Sequence, residues 1–278
     1  MTTQQAPSAF EHLKVVRCER VLHIELNRPE RLNALSKRTL LELEACVDAA
    51  EADPQVRALV VSGAGRGFSS GFDLKEQMER RPEGPADWRE ILEVDFRTTI
   101  RFWRCAKPTI AAVHGACLAG AFELALACDI AVAAEDAFFG EPELKFGAGI
   151  VTMLLPWMVG PKQAKEIILL GRDDIDAATA LRLGLVNRVV PAGEHVSTAL
   201  QMAADIAAID PLLVRDTKRA INRSYEAQGM DGALRAALDI DHAIESQGSP
   251  DKRQFMHIAR EQGLKAAIAW RDARFSKR

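Results

Sequence analysis

The stretch PTIAAVHGACLAGAFELALACDIAVAAE, residues 108–135, decides how this chain folds. Its two ends, PTIAAVHG and DIAVAAE, are short runs of small and β-branched residues with the composition of buried strands. Between them lies a segment of small and apolar residues carrying one glutamate, Glu123, which predicts a buried helix opening near Gly120. Strand, helix and strand in that order form a crossover unit of a parallel or mixed sheet.

The alternation continues on both sides. In VLHIELNRP, residues 21–29, apolar Leu22, Ile24 and Leu26 alternate with His23, Glu25 and Asn27, the period of a half-buried strand that stops at Pro29. From Ser36, a predicted N-cap, residues 36–53 place Leu40, Leu43, Val47 and Ala50 on one helical face. VRALVVSG (56–63) reads as a further apolar strand, and LGLVNRVVP (183–191) as the last. Residues 76–90, EQMERRPEGPADWRE, hold two prolines, a glycine and many charges, which predicts a solvated loop and a candidate lid. From about Gly193 the pattern is helical, punctuated at Asp210-Pro211, at Gly229 and at 248–250. The expectation is an α/β fold: residues 1–195 as the core that carries the site, and residues 196–278 as a helical C-terminal region involved in oligomer contacts.

Composition excludes several classes of function. The chain has 278 residues, 48% of them hydrophobic, enough for a sizeable core. Its 36 basic and 39 acidic side chains leave a formal charge of −3 with no basic stripe, so no nucleic-acid partner is expected. The five cysteines are widely spaced and lack any C-x-x-C, the pattern of reduced thiols rather than of a disulfide framework or a zinc site. Residues 1–14 contain no apolar targeting core and no apolar run is long enough to span a bilayer, so the expectation is a cytoplasmic protein with no membrane partner. Small molecules remain as ligands.

Three stretches carry the chemistry. Glu123 stands about one helical turn beyond Gly120, where free helix N–H groups point at whatever precedes them. Two readings stay open there: a working carboxylate whose apolar surroundings raise its pKa, or a glutamate paired with a buried arginine. In GRGFSSGFDLKE, residues 65–76, Gly63, Gly65 and Gly67 imitate part of a dinucleotide fingerprint without its third glycine. A turn centred on Gly71 presents the Phe72 N–H as a second oxyanion donor, or is simply a glycine-rich surface turn. In FFGEPELKFGAG, residues 138–149, Glu141 reads as a solvated acidic turn, whereas Glu143 has the apolar neighbours Leu144 and Phe146 and is a candidate second carboxylate opposite Glu123.

Taken with LNRPERLNALS (26–36), FGEPEL (139–144), ALRLGLVNRVVP (180–191) and GLKAAIAWRDARF (263–275), these stretches resemble the enoyl-CoA hydratase/isomerase, or crotonase, family over nearly the whole chain. The resemblance implies a repeated β-β-α spiral core with a helical C-terminal region, assembly as a homotrimer or homohexamer, and an acyl-CoA thioester as substrate. It assigns the oxyanion donors to the N–H groups of Phe72 and Gly120 and puts Glu123 and Glu143 at the family's two catalytic glutamate positions. It also places Arg31, Ala34, Gly71, Asp73, Leu74 and Lys75 in the substrate and CoA site. The implied reaction is hydration of a 2-enoyl thioester, with Glu123 deprotonating water and Glu143 protonating C2, and with no metal or redox cofactor.

The alternatives on the same scaffold are a Δ3-Δ2-enoyl-CoA isomerase working mainly through Glu143, another crotonase-type acyl-CoA lyase, or a non-catalytic, RNA-associating relative. The acid-rich helix at 36–53 offers the last of these no basic face. Tyrosine-assisted lyases are set aside because Tyr225 is the only tyrosine and Gln77 stands near the expected phenol position. Where typical hydratases of the family carry a proline- and glycine-rich run, residues 144–160 read LKFGAGIVTMLLPWMVG, which predicts a bulkier and more apolar pocket wall. With the ring of Phe72 beside the thioester, a cyclic, branched or aromatic acyl group is expected. Met153, Trp157 and Met158 read as core, and His114 as a ligand contact or an ordinary core or surface histidine.

Overall fold

The computed structural model describes residues 3–5 and 10–275. Strands β1 (Thr3–Gln5), β2 (Leu13–Cys18) and β3 (Val21–Leu26) pair antiparallel. A 3₁₀ turn at Pro29–Arg31 leads to helix α1 (Lys37–Ala52), whose first turn is capped as expected: the Thr39 N–H donates to Ser36 Oγ at 3.2 Å. Strand β4 (Ala58–Gly63) joins β3 in parallel and is buried throughout.

Residues 76–90 are not a loop. Helix α2 (Leu74–Arg80) and helix α3 (Gly84–Arg104) take up most of the stretch. Pro85 sits in the first turn of α3, where its missing N–H has no intrahelical partner to lose, and the charges lie on the solvent side of a helix that buries Trp88, Ile91, Leu92 and Phe96.

The chain then repeats one unit. Strand β5 (Thr109–Val113) is followed by short β6 (Ala116–Leu118) and helix α4 (Gly120–Ala127). Strand β7 (Ile130–Ala134) is followed by short β8 (Phe138–Gly140) and helix α5 (Glu143–Phe146). Helices α6 (Leu155–Met158) and α7 (Pro161–Leu169), strand β9 (Ile175–Asp176), helix α8 (Ala177–Leu183) and strand β10 (Arg188–Val190) complete the core. The main sheet runs β1-β2-β3-β4-β5-β7-β10, parallel from β3 onward, and β6-β8-β9 form a second layer. This is the β-β-α spiral, one long strand, one short strand and one helix per turn.

Alternate residues of the main sheet serve two cores. Leu59, Val61, Ala111 and Val113 face the side of α1 and α3, while Val60, Ile110, Ala112 and Val132 face helix α9 (His195–Ala207). Ala199, Ala203 and Ala207 give α9 a small-residue face that lets it approach the sheet closely. After it come α10 (Pro211–Ala227), α11 (Met230–Gln247), α12 (Pro250–Gln262) and α13 (Leu264–Phe275). Phe255, Ile258 and Ala267 of the last two helices pack on Leu74, Met78 and Phe146, so the C-terminal segment is docked on its own chain. Among the described residues no single helix is long and apolar enough to cross a membrane.

Candidate active site

The spiral brings three strand-to-helix corners side by side. The Leu118 N–H donates to Ser69 O (3.2 Å), the Ala119 N–H to Gly140 O (2.8 Å) and the Leu35 N–H to Gly71 O (2.8 Å). Second-layer backbone at 69–72, 117–120 and 138–140 is therefore contiguous, and the residues that begin the next helices, around Phe72, Gly120 and Glu143, become neighbours. Two glycines make this approach possible. Gly71 has φ +92°, and a Cβ there would stand 2.7 Å from Ala119 Cβ. A Cβ on Gly120 would stand 2.3 Å from Cε2 of the Phe72 ring. Among the described residues, neither the Phe72 N–H nor the Gly120 N–H donates to another group of the chain. Ala119 bends the chain into α4 with φ 56° and ψ −137°, a conformation that L side chains resist.

Glu123 follows one turn into α4 and is 0% exposed, so no bulk water reaches its carboxyl. No buried arginine pairs with it. The Thr152 N–H and hydroxyl and the Val151 N–H lie near enough to stabilise its charge, although none closes a hydrogen bond of standard geometry. Burial dominates and pushes its pKa up to about 7. For Glu143, burial first and the Glu123 charge second push the carboxyl well above the ordinary range.

Glu141 departs from the sequence reading. It is 1% exposed rather than solvated, because its N–H continues the β8 edge by donating to Arg172 O at 2.8 Å and carries the residue into the core. Its carboxyl is also pushed well above normal, by burial and then by Glu143 and Glu123, and it shares a hydrogen bond with Glu143. Carboxylate oxygens of Glu123, Glu141 and Glu143 lie within 4.8 Å of one another, the one such grouping among the described residues whose spacing would suit a cation. Acids raised by burial and mutual repulsion equally satisfy one another as a set that shares protons.

A cavity of about 520 Å³ opens from these corners. Arg31, Ala34, Phe72, Asp73, Leu74, Lys75, Gln77 and Glu143 line it, while Gly71 lies behind its wall. Asp73 is already engaged. It caps α2 through the Lys75 and Glu76 N–H groups and accepts from Arg28 at 2.9 Å, which pins the backbone on either side of Phe72. Arg66 and Arg271 add basic side chains that the sequence reading did not single out. The wall beyond Glu143 is bulky, with Phe146, Val151 and Phe255, but it is not the apolar wall expected: Asp95, Asp241, Glu245 and Lys252 line it too. Helices α3, α11 and α12 supply those charges from outside the 144–160 stretch on which the expectation rested. His114 lies outside the cavity, stacked on His195 with ring centroids 4.6 Å apart, and Tyr225 packs edge-on to Trp103. Met153, Trp157 and Met158 pack against the main core.

Comparison with known proteins agrees with this arrangement. Residues 17–259 match the enoyl-CoA hydratase/isomerase family model. The crystal structure of an enoyl-CoA hydratase/isomerase from Xanthobacter autotrophicus Py2 superposes with a TM-score of 0.95 at 61% identity, covering 96% of this chain and 99% of that one. A putative enoyl-CoA hydratase of Thermus thermophilus is 40% identical over 227 residues, 80% of this chain and 88% of the relative. The human mitochondrial Delta(3,5)-Delta(2,4)-dienoyl-CoA isomerase is 36% identical over 228 residues, 77% of this chain and 70% of the relative. With a family model matched over residues 17–259 and relatives of this identity and fold, the chain belongs to the enoyl-CoA hydratase/isomerase family.

Proposed function

We propose that the protein is an enoyl-CoA hydratase, adding water across the 2,3 double bond of an acyl-CoA thioester. The observation that carries the reading is the pair of carboxyls, Glu123 fully buried and Glu143 half-buried, near the unengaged N–H groups of Phe72 and Gly120. The thioester oxygen accepts both N–H bonds, so negative charge can develop there as the enolate forms. With a pKa of about 7, Glu123 is divided between its ionised and protonated forms near neutrality, and the ionised form takes a proton from the attacking water as its oxygen bonds to C3. Glu143, held protonated by burial and by Glu123, delivers its proton to C2. The proton gained by Glu123 then returns to Glu143, and the cycle closes without metal or redox cofactor. Arg31, Arg66, Lys75 and Arg271 around the cavity suit the CoA phosphates.

The test is loss of the conjugated enoyl-thioester chromophore by wild type, Glu123→Gln and Glu143→Gln. Each variant should fall by roughly 100-fold or more, the usual worth of a general acid or base. Wild-type activity should rise with pH through about 7, as Glu123 loses its proton. Near-normal turnover in Glu123→Gln, with only Glu143→Gln inactive on a 3-enoyl thioester, would instead identify an isomerase. Assembly as a homotrimer or homohexamer belongs to the same proposal. The exposed apolar side chains Leu212, Leu213 and Ile221 of α10 support it, and a monomeric mass in light scattering would refute it.

A further inference from the structure

The charged cluster beyond Glu143 supplies no proton donor or acceptor to the hydration proposed above. Asp241, on α11, is 2% exposed and lines the cavity; the Gly149 N–H lies near enough to stabilise its charge, but neither of its carboxylate oxygens receives a hydrogen bond of standard geometry. It presses against the loop that follows Glu143: a Cβ on Gly149 would stand 2.1 Å from Asp241 Oδ1. Lys252, on α12, packs beside Gly147 of the same loop, pairs with Glu245, and holds its ammonium 4.2 Å from the centre of the Trp88 ring. Asp95 completes the group from α3. Asp241 and Glu245 thus lie beside one ammonium, with Asp95 lining the same cavity, on a wall that a hydrocarbon tail would have to touch.

Each kind of acyl tail fares differently there. An alkyl tail would return no hydrogen bond to Asp241, leaving a buried acceptor poorly paired. A second carboxylate would meet Asp95, Asp241 and Glu245, and like charges at close range disfavour one another. A hydroxyl both donates and accepts, and so can satisfy an aspartate and a lysine at once.

We infer that the acyl end of the cavity recognises a hydroxylated acyl group, with the hydroxyl donating to Asp241 and accepting from Lys252. This rests on the acyl-CoA reading above, so its test measures binding of unreactive thioesters rather than turnover. Hexanoyl-CoA and its 4-, 5- and 6-hydroxy isomers are titrated calorimetrically into wild type, Asp241→Leu and Asp241→Asn. In wild type at least one hydroxylated isomer should bind about 10-fold or more tighter than hexanoyl-CoA, since a site built around a substrate hydroxyl rejects the analogue that lacks it. Asp241→Leu should bring the pair within about two-fold, by the same loss of the hydrogen-bonding partner, with Asp241→Asn in between. If Asp241→Leu does not fold, the drop in Asp241→Asn carries the comparison. Hexanoyl-CoA binding as tightly as every hydroxylated isomer in wild type overturns the inference and leaves the acyl-CoA reading standing. An unchanged preference in folded Asp241 variants also overturns it. Failure of all four thioesters to bind overturns both.

Discussion

The site has two acidic walls built in opposite ways, one around Glu123 just behind the cavity lining and one around Asp241 on it. The Glu123 region belongs to the spiral core, where the carboxyl stands on a helix of small apolar residues, with backbone N–H groups and a threonine near it and the acids Glu141 and Glu143 within 4.8 Å. The Asp241 wall belongs to the C-terminal helices, where an aspartate stands on an amphipathic helix rich in charged residues, with a lysine on the next one. Burial raises both acids, Glu123 from 4.5 to about 7 and Asp241 from 3.8 to about 6, although Lys252 pulls Asp241 down and Glu123 has no such cation. The first wall keeps a carboxyl poised between its two protonation states near neutrality, as proton transfer requires. The second holds mostly fixed charge, as recognition requires.

The sharpest break of this contrast is at Gly120. Gly120→Ala drives a methyl into the Phe72 ring and spreads the two donors, so it should lower kcat by roughly 100-fold to 1,000-fold, the scale of losing one oxyanion donor. Binding of saturated thioesters at the Asp241 wall should change far less. Equal losses in turnover and in binding would show that the two walls are not separable.

The next effect is on stability and distinguishes the walls by pH. An acid whose pKa is raised by folding stabilises the native state below its unfolded pKa, and that contribution is lost as pH rises through the folded value. Glu123→Gln, a mimic of the protonated acid, should therefore match wild type near pH 4 and gain about 3 kcal/mol by pH 8, at 1.36 kcal/mol per pKa unit. The gap should open as pH rises toward about 7. Asp241→Asn should gain a similar amount, with its gap opening earlier, toward about 6. Denaturant midpoints across pH measure both, and coincident curves would remove the distinction. The smallest effect is at Ala119, where glycine relieves the positive φ and should stabilise by about 1 kcal/mol with activity kept. A loss of stability there would mean that the Ala119 methyl contributes more by its packing beside Gly71 than its backbone strain costs.

The first wall was legible in the sequence because a charge among alanines and leucines is conspicuous, and because strand periodicity on each side fixed where the helix begins. Phe72, Gly120, Glu123 and Glu143 stand out by a glycine turn, a helix start and apolar neighbours, their roles come from the family resemblance, and the spiral explains why they converge. The second wall was hidden by the same physics. Asp241, Glu245 and Lys252 sit in helices full of charges, where only tertiary packing decides which ones turn inward. Asp95 could have been found. It lies four residues after Ile91 and seven after Trp88, on the buried face of α3, but Pro85 and the charges around it read as loop signals and hide the helix start. Glu141 was misjudged because an acidic residue before proline looks solvated unless the β8 edge that carries it inward is known.

The docking of α12 and α13 also bears on when the protein becomes active. Ser249 reaches back across 102 residues to donate to Gly147 O at 3.1 Å, and Phe255 meets Phe146 edge-on with ring centroids 5.1 Å apart. During synthesis the spiral can fold as soon as it emerges, since earlier parts of a chain fold first. Both glutamates and both N–H donors are then in place while one side of the cavity still lies open to solvent. The last two helices emerge later and only then close it, so a partly synthesised chain carries the two glutamates and the two N–H donors without the enclosure around them.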